Sequence, residues 1–190
     1  NNPLRAMVGN GLRPDLWDCF RGRFGVERIC EIYGASEGAC MFMNGLNKDK
    51  TIGMTNATVV LLKYDVANDE LIKNDNGFCI EAENEMPGLL AVKISPDSPY
   101  NGYTDKKESE KKILRNVLEE GDAWFNSGDL IKTMDVGFSV GQKHYQFVDR
   151  IGDTFRWKSE NVSTNEVAEI INQYSQVNMA NVYGVQIPNA

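Results

Sequence analysis

The chain has 190 residues, 42% of them hydrophobic and 25% charged, with a formal net charge of -7. That length fits one large domain, or a domain with part of another. The acidic balance speaks against a nucleic-acid partner, whose phosphates favour a basic surface. The four cysteines, Cys19, Cys30, Cys40 and Cys79, form no CxxC pair, and His144 is the one histidine. A zinc site and a disulfide scaffold are therefore not expected. No stretch approaches the roughly 20 apolar residues of a membrane span. The start at Asn1-Asn2-Pro3-Leu4-Arg5 and the end at Pro188-Asn189-Ala190 read as those of an internal portion of a longer protein.

In chain order, Gly9-Asn10-Gly11-Leu12-Arg13-Pro14 comes first, a loop whose two glycines let backbone approach a ligand closely. It matches neither a GxGxxG fingerprint nor a GxxxxGK[ST] phosphate loop. Taken alone it is an ordinary loop ahead of a helix over 15–24. Val26 to Ile32 is expected as a short strand leading into Tyr33-Gly34-Ala35-Ser36-Glu37-Gly38. There the glycine-flanked amides and the Ser36 hydroxyl can hold a phosphate oxygen. Glu37 is an oxygen ligand suited to Mg²⁺. The Tyr33 ring either stacks on a base or sits in the core.

From Thr58 the pattern turns to strands. Short apolar runs at 59–64, 77–80 and 89–94 are separated by Asn, Asp, Gly and Pro clusters. They suggest a small barrel or meander. Asp105 to Glu120 is expected as a helix, with Asp105 and Glu108 as a capping box. Its stripe is Ile113, Leu114, Val117 and Leu118, and Gly121 is the stop. The lysines at 106, 107, 111 and 112 read as its solvated face. Asn126-Ser127-Gly128-Asp129 is expected as a tight glycine turn that presents Asp129. Such a carboxylate can accept from a ribose diol or cap local amides.

Leu130 to Met134 and His144 to Val148 are expected as a hairpin. Asp149 to Asp153 follows as a hinge, and the Arg150 fork suits phosphate or ribose oxygens, or an ion pair with a neighbouring Asp. Arg156 and Lys158 share one face of a strand, with Trp157 on the other. A second helix is expected from Ser163, with Val167, Ile170, Ile171 and Tyr174 as its buried stripe. A strand over 179–187 closes the chain.

Taken together the motifs resemble those of the adenylate-forming acyl-CoA synthetases. The branch they are most similar to is that of the fatty acid transport proteins and very-long-chain acyl-CoA synthetases. Tyr33-Gly34-Ala35-Ser36-Glu37-Gly38 resembles the family's YGxTE segment, with Ser36 for the usual Thr. Asn126-Ser127-Gly128-Asp129 resembles its TGD segment, and Asp149 to Lys158 with Glu160 to Thr164 is the most specific match. Gly152 stands where Asp or Lys is common, and Ser159 where Gly is usual.

The resemblance implies a mixed α/β fold. Residues 1–148 would end a large AMP-binding domain with a β-barrel-like subdomain, 149–153 would be the hinge, and 154–190 would begin a small α+β domain. It implies ATP, Mg²⁺ and CoA as reaction partners and a fatty acid as substrate. Gly9, Asn10, Gly11, Tyr33 and Gly34 would line the adenine site, and Asp129 with Arg150 would hold the ribose. Ser36 would touch phosphate and Glu37 would hold Mg²⁺. Arg156, Trp157 and Lys158 would face CoA after domain rotation. The alternatives are a non-catalytic fatty-acid carrier of the same fold and a ligase for another carboxylic acid. Either the cytosol or the cytosolic face of a membrane is the implied setting.

Overall fold

The computed structural model describes residues 3–35, 40–66, 68–102, 104–151, 154–157, 160–183 and 185. It is a mixed α/β molecule built around an antiparallel sheet.

Strand β1 (Ala6–Gly9) pairs in parallel with β2 (Arg28–Gly34), and β2 pairs antiparallel with β3 (Met41–Met43). Helix α1 (Trp17–Phe24) makes the crossover between β1 and β2 and ends at Gly25 in the left-handed region, φ 62°. Trp17 is buried against Val26 and Ile29, and these three seat the crossover.

The larger sheet has the order β10-β9-β7-β4, with β8 also on β9. Its strands are β4 (Val59–Leu62), β7 (Gly88–Lys93), β8 (Ile113–Arg115), β9 (Ala123–Met134) and β10 (His144–Arg150). The minor pair β5 (Tyr64–Asp65) and β6 (Glu70–Leu71) lies outside it. Strand β7 is apolar and buried on both faces. Leu90 and Val92 join a cluster with Phe42, Phe125, Ile131 and Tyr145, while Leu89 and Ala91 join another with Leu62, Val117 and Trp124.

The segment over 51–54 stitches the two sheets together. Met43 and Met54 exchange backbone bonds, while Tyr145 N donates to the Gly53 carbonyl and Ile52 N to the Tyr145 carbonyl, so the segment links β3 to β10. Gly53 has φ +86°, and a Cβ there would lie 2.0 Å from the Met43 carbonyl oxygen. Only glycine fits that crossing.

The expected helix over 105–120 is much shorter. Asp105 caps α2 (Lys106–Lys111) through Lys107 N and Glu108 N, but Ile113–Arg115 is strand β8 and 116–122 is a turn. The cause is Asp122, a buried carboxylate that accepts from the amides of Val117, Leu118 and Glu119 and from Trp124 Nε1. A helix needs those same amides, and the charged acceptor wins them. Leu114, Val117 and Leu118 still reach the core, from a strand and turn.

Asn126-Ser127-Gly128-Asp129 lies inside β9 and is not a turn between elements. Asn126 pairs with Ala91 and Leu130 with Leu89, so Ser127, Gly128 and Asp129 stand opposite Leu90 alone. This bulge is held by Ser127 Oγ donating to Leu90 O and by Gly128 at φ +78°. The hairpin is found as expected, although its strands are longer.

The C-terminal segment contains a hairpin of β11 (Thr154–Trp157) and β12 (Glu160–Ser163), followed by α3 (Thr164–Asn172). Thr164 and Ala168 are buried, whereas Ile170, Ile171 and Tyr174 of the expected stripe are exposed. No neighbouring element covers that face among the described residues. The described part of 179–187 forms no strand. His144 is buried, its Nδ1 3.3 Å from the Gln142 carbonyl oxygen. Among the described residues no helix is long and apolar enough to cross a membrane.

Burial pushes the Asp122 carboxyl up, but its hydrogen bonds from Leu118, Trp124, Val117 and Glu119 outweigh this and hold it below the ordinary range. Its stabilisation is thus complete above the unfolded value of about 3.9 and is lost as pH falls through the folded one. Replacement Asp122→Asn should cost about 2 kcal/mol in urea unfolding at pH 7. The deficit should shrink as the pH is lowered below about 4.

Candidate active site

A cavity of about 1030 Å³ opens where the two sheets and α3 meet. Three groups of residues from distant parts of the sequence line it: Asn10 and Gly11, Tyr33 and Gly34, and Asp129 and Arg150. The loop after β1 brings the first pair and the end of β2 the second. The β9 bulge and the end of β10 bring the third.

The centre of the site is the Asp129 carboxylate, which is 4% exposed. Tyr33 Oη donates to its Oδ2 at 2.5 Å and Arg150 Nε to its Oδ1 at 3.0 Å. Asp129 and Arg150 are direct cross-strand partners, so the ladder itself sets this pair. Asp129 N donates to Ser127 Oγ, and Ile151 N to the Gly128 carbonyl. The bulge thereby aims Asp129 into the cavity. A carboxylate offers about four acceptor positions, so two protein donors leave room for two more from a diol. Burial, the charge of Asp129 and the hydrogen bond to it push the Tyr33 phenol far up, so it stays protonated and donates. The Tyr33 ring packs edge-on to Phe42, with centroids 5.5 Å apart, which assigns it to the wall of the core as well as to the cavity.

Two residues before Tyr33 on β2 is Glu31, 2% exposed and also lining the cavity. Its Oε1 accepts from the amides of Gly11 and Leu12, the latter at 2.9 Å. Its Oε2 has no hydrogen-bond partner among the described residues. Glu31 and Lys132, which no motif singles out, line the cavity, and so does Lys112, expected on the solvated face of a helix. Glu31 had a signal. It occupies an inward position of β2 between Ile29 and Tyr33, where a charge needs a reason.

At the mouth Arg13 forms a two-bond fork with Asp15, at 3.1 and 2.7 Å, and its Nη2 lies 3.9 Å from Glu169 Oε1 of α3. Asn165 Nδ2 donates to the buried Asp149 Oδ1 at 2.7 Å, a second tether between α3 and β10.

Of the remaining sequence candidates, Gly9 ends β1 beside Glu31 and does not itself line the cavity. Ser36, Glu37, Gly152, Asp153 and Lys158 lie outside the described residues. Arg156 and Trp157 belong to β11, where the backbone alone is described. Among the described residues no three His, Cys, Asp or Glu side chains gather as a metal cluster.

No family model matches the chain. It is 42% identical over 185 residues to the medium/long-chain-fatty-acid–CoA ligase FadD6 of Mycobacterium tuberculosis (strain ATCC 25618 / H37Rv), a match covering 97% of this chain and 30% of that protein. It is 43% identical over 195 residues to long-chain fatty acid transport protein 2 of Rattus norvegicus, covering 99% and 30% respectively. Its fold is similar to ATP-bound MatB from Rhodopseudomonas palustris, with a TM-score of 0.67, 18% identity, and coverage of 96% of this chain and 32% of that one. The anthranilate CoA ligase AuaEII, solved with anthranoyl-AMP, gives a TM-score of 0.63 at 19% identity, covering 96% and 31%. The fold is that of the adenylate-forming enzymes. Over nearly all of its length the chain is similar to fatty acid–CoA ligases and long-chain fatty acid transport proteins. It spans about 30% of the length of these curated relatives.

The carboxylate and phenol should be energetically coupled. Tyr33→Phe and Asp129→Ala should each cost about 1–3 kcal/mol, because each strands a buried polar partner. The double variant should cost less than the sum by about 1 kcal/mol or more, read by urea unfolding of all four proteins.

Proposed function

We propose that the chain is part of an ATP-dependent ligase that joins a long- or very-long-chain fatty acid to CoA. In the first step a carboxylate oxygen attacks the α-phosphorus of ATP, and pyrophosphate leaves. In the second the CoA sulfur attacks the acyl carbonyl carbon. AMP leaves with the bonding pair, and the thiol proton is released.

The observation that carries this reading is the convergence of Asn10 and Gly11, Tyr33 and Gly34, and Asp129 and Arg150 on one cavity. The side lined by Gly11 and Gly34 beside the Tyr33 ring suits a purine. Asp129 takes the ribose hydroxyls through its remaining acceptor positions, and Arg150 neutralises and orients it. Gly9 keeps the backbone close. Ser36 holds a phosphate oxygen.

The described donors fit the organic half of the nucleotide, and Glu37 is the carboxylate assigned to Mg²⁺. That ion, when bound, neutralises phosphate charge and orients the leaving pyrophosphate. Everything else these residues do is positioning and electrostatics.

Residues 1–148 form the end of the large domain, 149–153 the hinge and 154–190 the start of the small domain. Rotation between the steps brings Arg156, Trp157 and Lys158 to the CoA side. That motion must open the Arg13–Glu169 and Asp149–Asn165 contacts. The uncovered Ile170 and Tyr174 would be buried by the rest of the small domain. The protein works in the cytosol or on the cytosolic face of a membrane.

In the full-length protein, ATP–pyrophosphate exchange should require fatty acid. Asp129→Ala should lower kcat/KM for ATP ten-fold or more, and Glu37→Gln should raise the Mg²⁺ concentration needed for half-maximal exchange. Fatty-acid binding with exchange at background in the wild type would instead identify a carrier of the same fold. A response confined to short or aromatic acids would identify a ligase for another acid.

A further inference from the structure

We propose that Glu31 is the positioning residue that clamps the Gly9–Leu12 backbone into the shape the cavity needs. The inference rests on the nucleotide-site reading for its effect on ligand binding, but the clamp itself stands on separate geometry.

The register explains why a glutamate can do this. In the parallel pair β1–β2, Gly9 is the direct partner of Glu31, so both point to the same face of the sheet. Gly9 carries no side chain, and the Glu31 carboxylate lies beside it at contact distance. A Cβ on Gly9 would lie 3.8 Å from Glu31 Oε2 and 3.2 Å from Met7 Cε. From there Oε1 reaches past the end of β1 to the amides of Gly11 and Leu12.

The loop has need of such a restraint. Strand β1 ends at Gly9 and α1 begins at Trp17, so the Gly11 and Leu12 amides are served by neither element. Gly11 has φ +93°, and no described atom lies within 4 Å of the place its Cβ would take. A glycine left to itself samples many conformations, and ordering it costs more entropy than ordering any other residue. Two charge-assisted bonds from a single buried oxygen supply the restraint. An isolated buried carboxylate is costly. Here the loop amides are its hydrogen-bond donors on Oε1, and Oε2 has none among the described residues.

The test uses Glu31→Ala and Glu31→Gln in the full-length protein, with amide hydrogen exchange resolved at single residues and AMP titration by calorimetry. Glu31→Ala should speed exchange at Gly11 and Leu12 ten-fold or more while β2 and β9 keep their protection. It should also weaken AMP about ten-fold. Glu31→Gln keeps a neutral acceptor of the same size, so both effects should be several-fold only. Unchanged exchange at Gly11 and Leu12 overturns the proposal, and so does a rise spread evenly over β1 and β2, which marks a plain core residue. Should Glu31→Ala fail to fold, the Glu31→Gln exchange pattern decides by the same two criteria. A wild-type protein that binds no AMP would overturn the nucleotide reading instead, and the exchange data would still judge the clamp.

Discussion

One buried carboxylate joins the two halves of the molecule. Asp129 accepts from Tyr33, at the end of the β1–β2–β3 sheet, and from Arg150, at the end of the hairpin in the larger sheet. A carboxylate at 4% exposure is stable only if such donors are present. Its position therefore demands that β2 and β10 end at the same place. The cavity lies where they do.

The backbone is built to deliver that meeting. The Gly53 crossing passes so close to Met43 that no side chain fits, and its segment bonds β3 through Met54 and β10 through Gly53. The β9 bulge then turns Asp129 towards the seam, while Leu90 opposite keeps its place in the core. Both devices sacrifice regular ladder pairing locally, and both lie beside the cavity. Glu31 is a second buried carboxylate lining the cavity, with loop amides as its donors.

Much of the fold was legible where local chemistry and tertiary packing agree. The strand before Tyr33, the apolar runs at β4 and β7, the β9–β10 hairpin and the Asp105 cap all followed from periodicity and capping rules. The failures share a cause. Ile113, Leu114, Val117 and Leu118 have helical spacing, but Asp122, which follows them in sequence, removes the amides a helix would use. Ile170 and Tyr174 have the spacing of a buried stripe, but spacing says only that a face is apolar and not that anything lies against it. The run Asn126 to Asp129 has turn composition, and the same residues serve a bulge within a long strand.

The sequence by itself determined which side chains were candidates for a site, the glycine loop at 9–11, Tyr33, Asp129 and Arg150, through the resemblance of their motifs to those of a known family. Tertiary structure alone decided that Tyr33 bonds Asp129 across 96 positions of chain, and that Glu31 reaches Gly11 and Leu12. The physical reason is range. Periodicity and capping act over a few residues, whereas a buried charge finds its donors wherever the packed sheets bring them.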